Sequence, residues 1–233
     1  MRGCVPKKLL VYGVHFGEEF DNARGYGWAQ STPKLDWASL INAKNLELQR
    51  LEDVYHNILK SSGVSEIHGT GRIVDPHTVD VNGKAYTGEY ILVATGGHPA
   101  TPQIPGIEHV INSDEALDLR DLPKEIVIVG GGYIAVEFAG IFKAAGVQTH
   151  LMFRADNVLR GFDLDIRKVL RDELEKKGVI LHSQVQILAI DKLDQGYRLK
   201  LDNGETKDTD LVMYATGRRP NSSGLGLSEI GIE

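Results

Sequence analysis

EIVIVGGGYIAVEFAGIFKAAGVQTHLMFRADNVLRGFD, residues 125–163, carries a change of period that decides the fold. Glu125–Val129 is a short β-branched apolar run, the composition of a buried parallel strand. It enters GGGYIA at 130–135, which fits G-x-G-x-x-G/A with alanine in the last place. Ile134, Phe138, Ile141, Phe142 and Ala145 then recur at the spacing of one helical face, and Gly146 is a natural stop. Residues 147–153 give a second strand, so the stretch reads as a βαβ unit.

The glycine turn predicts a dinucleotide site. Gly130 allows the tight turn, Gly132 lets backbone approach a pyrophosphate, and Ala135 lets helix and strand pack closely. The helix N-terminus offers unpaired N–H groups and the positive dipole end to phosphate. Sites for NAD place an Asp or Glu at the end of the second strand, roughly 20 residues on, to hold the ribose 2′-OH. Here that place has Met152, Phe153 and Arg154, with Arg160 following in the same loop. Two guanidiniums suit a 2′-phosphate, so NADP is expected over NAD. The plainer alternative is a pair of solvated surface arginines.

Composition narrows the class. The chain has 233 residues, 42% hydrophobic and 25% charged, enough for a real core in one or two domains. A net charge of −6 with no basic block argues against nucleic acid. No apolar run approaches the ~18–20 residues of a membrane span, and the first residues are no signal peptide. One cysteine excludes an intrachain disulfide and makes a reducing, cytoplasmic compartment the expectation. No metal ligand set is expected.

At the start, Pro6 suits the first turn of a helix and places Cys4 at or just before its N-terminus. There the dipole and Lys7 or Lys8 favour a thiolate, while a small buried hydrophobe remains the other reading of a lone cysteine. Residues 17–33, rich in Gly, Glu, Asp and Asn, read as a loop. Residues 35–61 read as the longest helix, with a broad apolar face that half-buries Tyr55, and Gly63 as its stop. Period-two strands are expected at 66–68, 71–74, 78–81 and 90–93, with Asn82-Gly83 as a hairpin turn. Prolines 99, 102 and 105 mark a crossover over 98–122, holding a short helix near 113–117 behind an Asn112 or Ser113 cap. Beyond the βαβ unit, 163–177 reads as a helix, 179–190 as strand, 197–201 as half of a hairpin, and 210–214 as a last buried strand.

Ala-Thr-Gly occurs twice, at 94–96 and 215–217, each time closing a β run, and the copies bracket the βαβ unit. They read as the two crossings of one inserted domain. The expected partition is 1–98 and 217–233 as a host domain, with 99–216 inserted.

With these residues in view, the chain resembles the flavin-dependent pyridine nucleotide–disulfide oxidoreductases, most closely their glutathione-reductase branch. The resemblance runs over the whole chain and rests on GCVPKK at 3–8, the two ATG segments, GGGYIAVEFAG at 130–140 and FRADNVLRGFD at 153–163. It implies an α/β fold in which a Rossmann-like NADP-binding domain is inserted into a partial FAD-binding domain. It implies that Cys4 is the flavin-facing member of the redox disulfide, and that Lys7 and Glu137 pair beside the flavin and nicotinamide. Tyr133 would be the gate over the flavin, and Arg154 and Arg160 the 2′-phosphate grip. Gly130, Gly132, Ile134, Ala135, Ala94, Thr95, Gly96 and Gly217 would contact cofactor, and Tyr55 would line the site of the disulfide substrate. FAD and NADP, glutathione disulfide and a homodimer are the implied cofactors, substrate and assembly.

The departures are also explicit. The family's first redox cysteine would fall before Met1, and its N-terminal FAD-binding βαβ unit and C-terminal interface domain have no counterpart here. The chain is therefore expected to be an internal segment that does not complete the cycle unaided. A trypanothione- or dihydrolipoamide-type reductase and a non-catalytic NADP-binding module are the competing readings.

Overall fold

A computed structural model describes residues 1–28 and 33–232. In chain order the elements are α1 (Cys4–Arg24), α2 (Trp37–Ser61), β1 (Gly71–Asp75), β2 (Thr78–Val81), β3 (Lys84–Thr87), β4 (Gly97–Pro99), α3 (Ser113–Leu117), β5 (Glu125–Val129), α4 (Tyr133–Ala144) and β6 (Gln148–Phe153). They continue with α5 (Leu164–Lys176), β7 (Ile180–Ser183), β8 (Ile187–Lys192), β9 (Tyr197–Leu201), β10 (Thr206–Thr209), β11 (Leu211–Tyr214) and β12 (Arg218–Pro220). Two compact units result, one of Met1–Arg50 with Pro99–Gly217 and the other of Leu51–His98 with Arg218–Glu233. This differs from the partition drawn from sequence. Residues 1–50 belong with the unit holding the βαβ motif, because α1 and the start of α2 put Leu10, Val14, Trp37 and Ile41 into its core.

That first unit is built on a four-stranded parallel sheet in the order β11-β5-β6-β7. Its strands alternate strictly between two buried faces, as a sheet covered on both sides requires. Ile126, Ile128, Leu151, Phe153 and Met213 face α4, whose Ala135, Phe138, Ala139, Ile141 and Phe142 complete that core. Val127, Met152, Val212 and Tyr214 face the antiparallel meander β10-β9-β8 and its Ile187, Ile190, Leu199 and Leu201. Of the two caps expected for α3, Asn112 is the one used, in a capping box: its side chain accepts from the Asp114 amide at 2.7 Å, and Glu115 accepts from the Asn112 amide at 2.8 Å.

The second unit contains the meander β1-β2-β3, turned at Asn82 (φ 54°) and Gly83 (φ 85°) as a two-residue hairpin demands, and the pair β4-β12.

Three local expectations are corrected. Residues 17–24 are helix and not loop, since α1 runs to Arg24. Their acidic side chains pair within reach of the helix, His15 with Glu18 and Glu19 at 3.2 and 3.1 Å and Lys177 with Glu18 at 2.5 Å. Residues 66–68 and 90–93 are not strands, because no described neighbour offers them a ladder, and Tyr90 and Leu92 stand 87% and 89% exposed. Tyr55 on the far half of α2, read as half-buried, is 53% exposed, in keeping with that reading. The run 179–190 is two strands, parted at Gln184, whose φ is 58°.

Candidate nucleotide site and thiol

The site forms where β5 gives way to α4. Gly130 has φ 139°, a region closed to side chains, and a Cβ there would lie 2.9 Å from the Ala215 carbonyl carbon and closer still to its oxygen. The turn is therefore wedged against the residue that follows β11. Its strand partners hold it in register: the Gly130 amide donates to Met152 O at 2.9 Å and the Ala215 amide to Val129 O at 2.8 Å. Gly132 differs. It caps α4 with φ −85°, and nothing lies within 4 Å of the point where its Cβ would be. No side chain caps α4 and no acid sits in its first turn, so its leading amides face that open space unsatisfied by side chains. Ala135 is fully buried and Ile134 partly buried, which seats the helix, while Tyr133 is 57% exposed.

Arg154 and Arg160 flank this turn. Both are exposed, and neither makes an ion pair or hydrogen bond among the described residues. Their neighbours touch Gly131: a Cβ there would meet Phe153 Cβ at 3.3 Å, and the Leu159 amide donates to Gly131 O at 2.6 Å. Unsatisfied amides, an open glycine and two unpaired guanidiniums on one edge fit an adenosine phosphate bearing an extra phosphoryl group. An Asp or Glu for a free ribose 2′-OH is absent from the end of β6.

The thiol end is built by α1 lying across α4. Lys7 Nζ sits 2.5 Å from Glu137 Oε1, with the two side chains 18% and 33% exposed. Cys4, the first residue of α1, is a free and exposed thiol. So the structure brings Lys7 to Glu137 and places Cys4 one helical turn away on the same element. Gly217 ends the first unit, where its carbonyl accepts from the Ala100 amide at 2.9 Å.

Ala94, Thr95, Gly96 and Tyr55 belong to the other unit. There the Thr95 hydroxyl donates to Asn221 O at 2.6 Å, Asn221 Nδ2 donates to Thr95 O at 3.0 Å, and the Asn221 amide donates to Gly96 O at 2.9 Å. Asn221 thus clasps the first Ala-Thr-Gly, a role no local pattern announced. Equally silent in sequence is Arg167, whose guanidinium is turned onto the loop carrying both free arginines.

A parallel sheet with a glycine-rich turn leading from its inner strand into a helix is the arrangement of α/β dinucleotide-binding proteins. Comparison narrows that class: the family model described as pyridine nucleotide-disulphide oxidoreductase matches residues 1–233, and the chain belongs to this family. It is 49% identical over 235 residues to a chloroplastic/mitochondrial glutathione reductase of Pisum sativum, covering all of this chain and 43% of the relative. Glutathione reductases of Burkholderia cepacia and of Nostoc sp. are 41% and 40% identical over the whole chain and 52% and 51% of their own lengths. A solved structure, the HOCl-induced flavoprotein disulfide reductase RclA of Escherichia coli, superposes with a TM-score of 0.84 at 26% identity, covering all of this chain and 50% of that one. The chain spans about half the length of the curated relatives it matches.

Proposed function

We propose that the chain supplies the NADP-binding and thiol-bearing portions of an NADPH-dependent, FAD-containing reductase of glutathione disulfide. The 40–49% identity to proteins named glutathione reductase favours that substrate over those of trypanothione- or dihydrolipoamide-type enzymes. In this reading residues 1–98 and 217–233 serve the flavin domain and 99–216 the NADP domain. The working assembly is a homodimer in a reducing compartment, with neither nucleic acid nor membrane as partner. Among the described residues no helix is long and apolar enough to cross a membrane.

The observation that carries the coenzyme assignment is the couple Arg154 and Arg160, unpaired among the described residues, with an open Gly132. The α4 amides hold the pyrophosphate and the two guanidiniums grip the 2′-phosphate. Tyr133, at 57% exposure, is free to swing aside. Lys7 and Glu137 keep a neutral, fixed pair beside the ring system, and Ala94, Thr95, Gly96 and Gly217 allow close approach of backbone to cofactor. FAD, when bound, would supply a two-electron relay from nicotinamide to a disulfide. Cys4, joined to a second cysteine, would be the half of that disulfide facing the relay. Reduced to a dithiol by two electrons and two protons, the pair would pass them by thiol–disulfide exchange to one glutathione disulfide, giving two glutathiones and restoring the disulfide. One cysteine cannot alternate between dithiol and disulfide, so turnover needs a second thiol beyond these 233 residues.

The test is coenzyme preference. Replacing Arg154 and Arg160 by Gln should lower the ratio of NADH to NADPH dissociation constants by about a hundredfold, as expected for two charge-assisted contacts. An unchanged ratio would remove the basis of the assignment.

A further inference from the structure

Arg167 has no place in the reading given so far, yet its side chain is only 12% exposed and its side-chain hydrogen bonds and ion pair among the described residues fall on the loop between the two phosphate-gripping arginines. From the first turn of α5 its Nε donates to Val158 O at 2.7 Å and its Nη2 to Asn157 O at 3.3 Å, while Asp156 Oδ1 lies 3.6 Å from Nη2. Three consecutive residues are thus gathered by one planar fork, a geometry that lysine cannot reproduce. The same loop is tied at other points by backbone. The Leu159 amide donates to Gly131 O at 2.6 Å, and the Gln184 amide donates to Ala155 O at 3.1 Å. Leu159 itself holds φ 53°, a left-handed conformation that leucine rarely adopts and that its surroundings must enforce. Val158 and Leu159 are buried and Arg167 bonds the Asn157 and Val158 carbonyls, so the turn is held at several points while Arg154 and Arg160 stay in solvent.

We infer that Arg167 is a positioning residue for coenzyme discrimination: it fixes the 156–160 turn so that Arg154 and Arg160 are presented as a preorganised pair for a 2′-phosphate. The inference rests on the NADP reading of that pair. Arg167 touches no coenzyme. It acts by sparing the loop the ordering cost that would otherwise be charged against phosphate binding.

The experiment titrates NADPH and NADH separately into the 233-residue chain and into its Arg167→Gln, Arg167→Lys and Arg154→Gln variants, following binding by coenzyme fluorescence. Amide exchange over residues 156–160 is measured on the same samples. Arg167→Gln should weaken NADPH by about tenfold, the effect of leaving bonded carbonyls without their donor, with NADH unchanged. Exchange over 156–160 should rise in step. Arg167→Lys keeps the charge, and also serves if the Gln variant does not fold; it should recover less than half of the loss. Equal weakening of both coenzymes, an unmoved ratio, or full recovery by lysine would each overturn the positioning role. If Arg154→Gln lowers the ratio while Arg167→Gln does not, this inference alone fails; if Arg154→Gln leaves the ratio unmoved, the coenzyme reading fails and takes this inference with it.

Discussion

Gly130 and Gly132 stand two residues apart in one motif and answer to different constraints. Adding a methyl at Gly130 meets the Ala215 backbone in a φ region where no side chain belongs; adding one at Gly132 meets nothing. Gly130→Ala should therefore cost about 2 kcal/mol or more in urea unfolding. Gly132→Ala should stay within about 0.5 kcal/mol of the parent and weaken NADPH instead. Equal destabilisation by both substitutions would contradict this division. The fingerprint itself is readable in sequence because its spacing is local. The reason Gly130 can be nothing else is not, because Ala215 lies 85 positions away. Arg154 and Arg160 are legible as residue types after the second strand, whereas their lack of partners among the described residues is a fact of three dimensions.

Among the elements, the βαβ core was plain because both of its periods, 2 and 3.6, are set by burial against a partner in the same stretch. The second half of α1 was not. Its glycines and acids suggest a loop, but Gly13 lets α1 approach Leu40 of α2, where a Cβ would come within 2.5 Å of Leu40 Cδ1. Residues 90–93 show the converse error: an alternating apolar run makes a strand only where another strand completes its hydrogen bonds. Between β6 and β7 lies a buried polar cluster that periodicity could not show. His150 Nδ1 and His182 Nε2 are 2.9 Å apart with their rings stacked at 5.2 Å, faced by Gln148 on β6, Glu125 on β5 and Lys207 on β10. Burial, and then the charge of Lys207, push His150 down to about 4 against the pull of Glu125, and burial pushes His182 down as well. The unfolded chain thus binds more protons below its ordinary histidine range. Stability should be level above pH ~6.5 and fall by a few kcal/mol toward pH 4. Denaturant titrations at about pH 7.5 and about pH 5 should separate the parent from His150→Gln, which flattens the slope. An equally steep slope in that variant would refute the assignment.

For the molecule as a whole, the two units make different demands on a ligand. The proposed coenzyme site, from the Gly130 turn to Arg160, falls within the first of them. NADPH at about a hundredfold excess over its dissociation constant should stabilise that unit by ~2.7 kcal/mol, with NADH at the same concentration giving much less. Calorimetry reads both shifts, and identical shifts would argue against 2′-phosphate recognition. Paired Ala-Thr-Gly strings suggest where the chain changes unit, whereas the packing of the first helices into the βαβ unit leaves no mark in sequence, since helix-on-helix burial shows nothing at a boundary.

One detail at that boundary reaches further. Ala100 and Gly217 are joined by a single backbone hydrogen bond of 2.9 Å, and the Thr216 hydroxyl donates to Ala100 O at the same distance. Ends that meet close residues 100–217 at their base, yet Leu10, Val14, Trp37 and Ile41 complete the core above it, so this segment cannot be transplanted without residues 1–50.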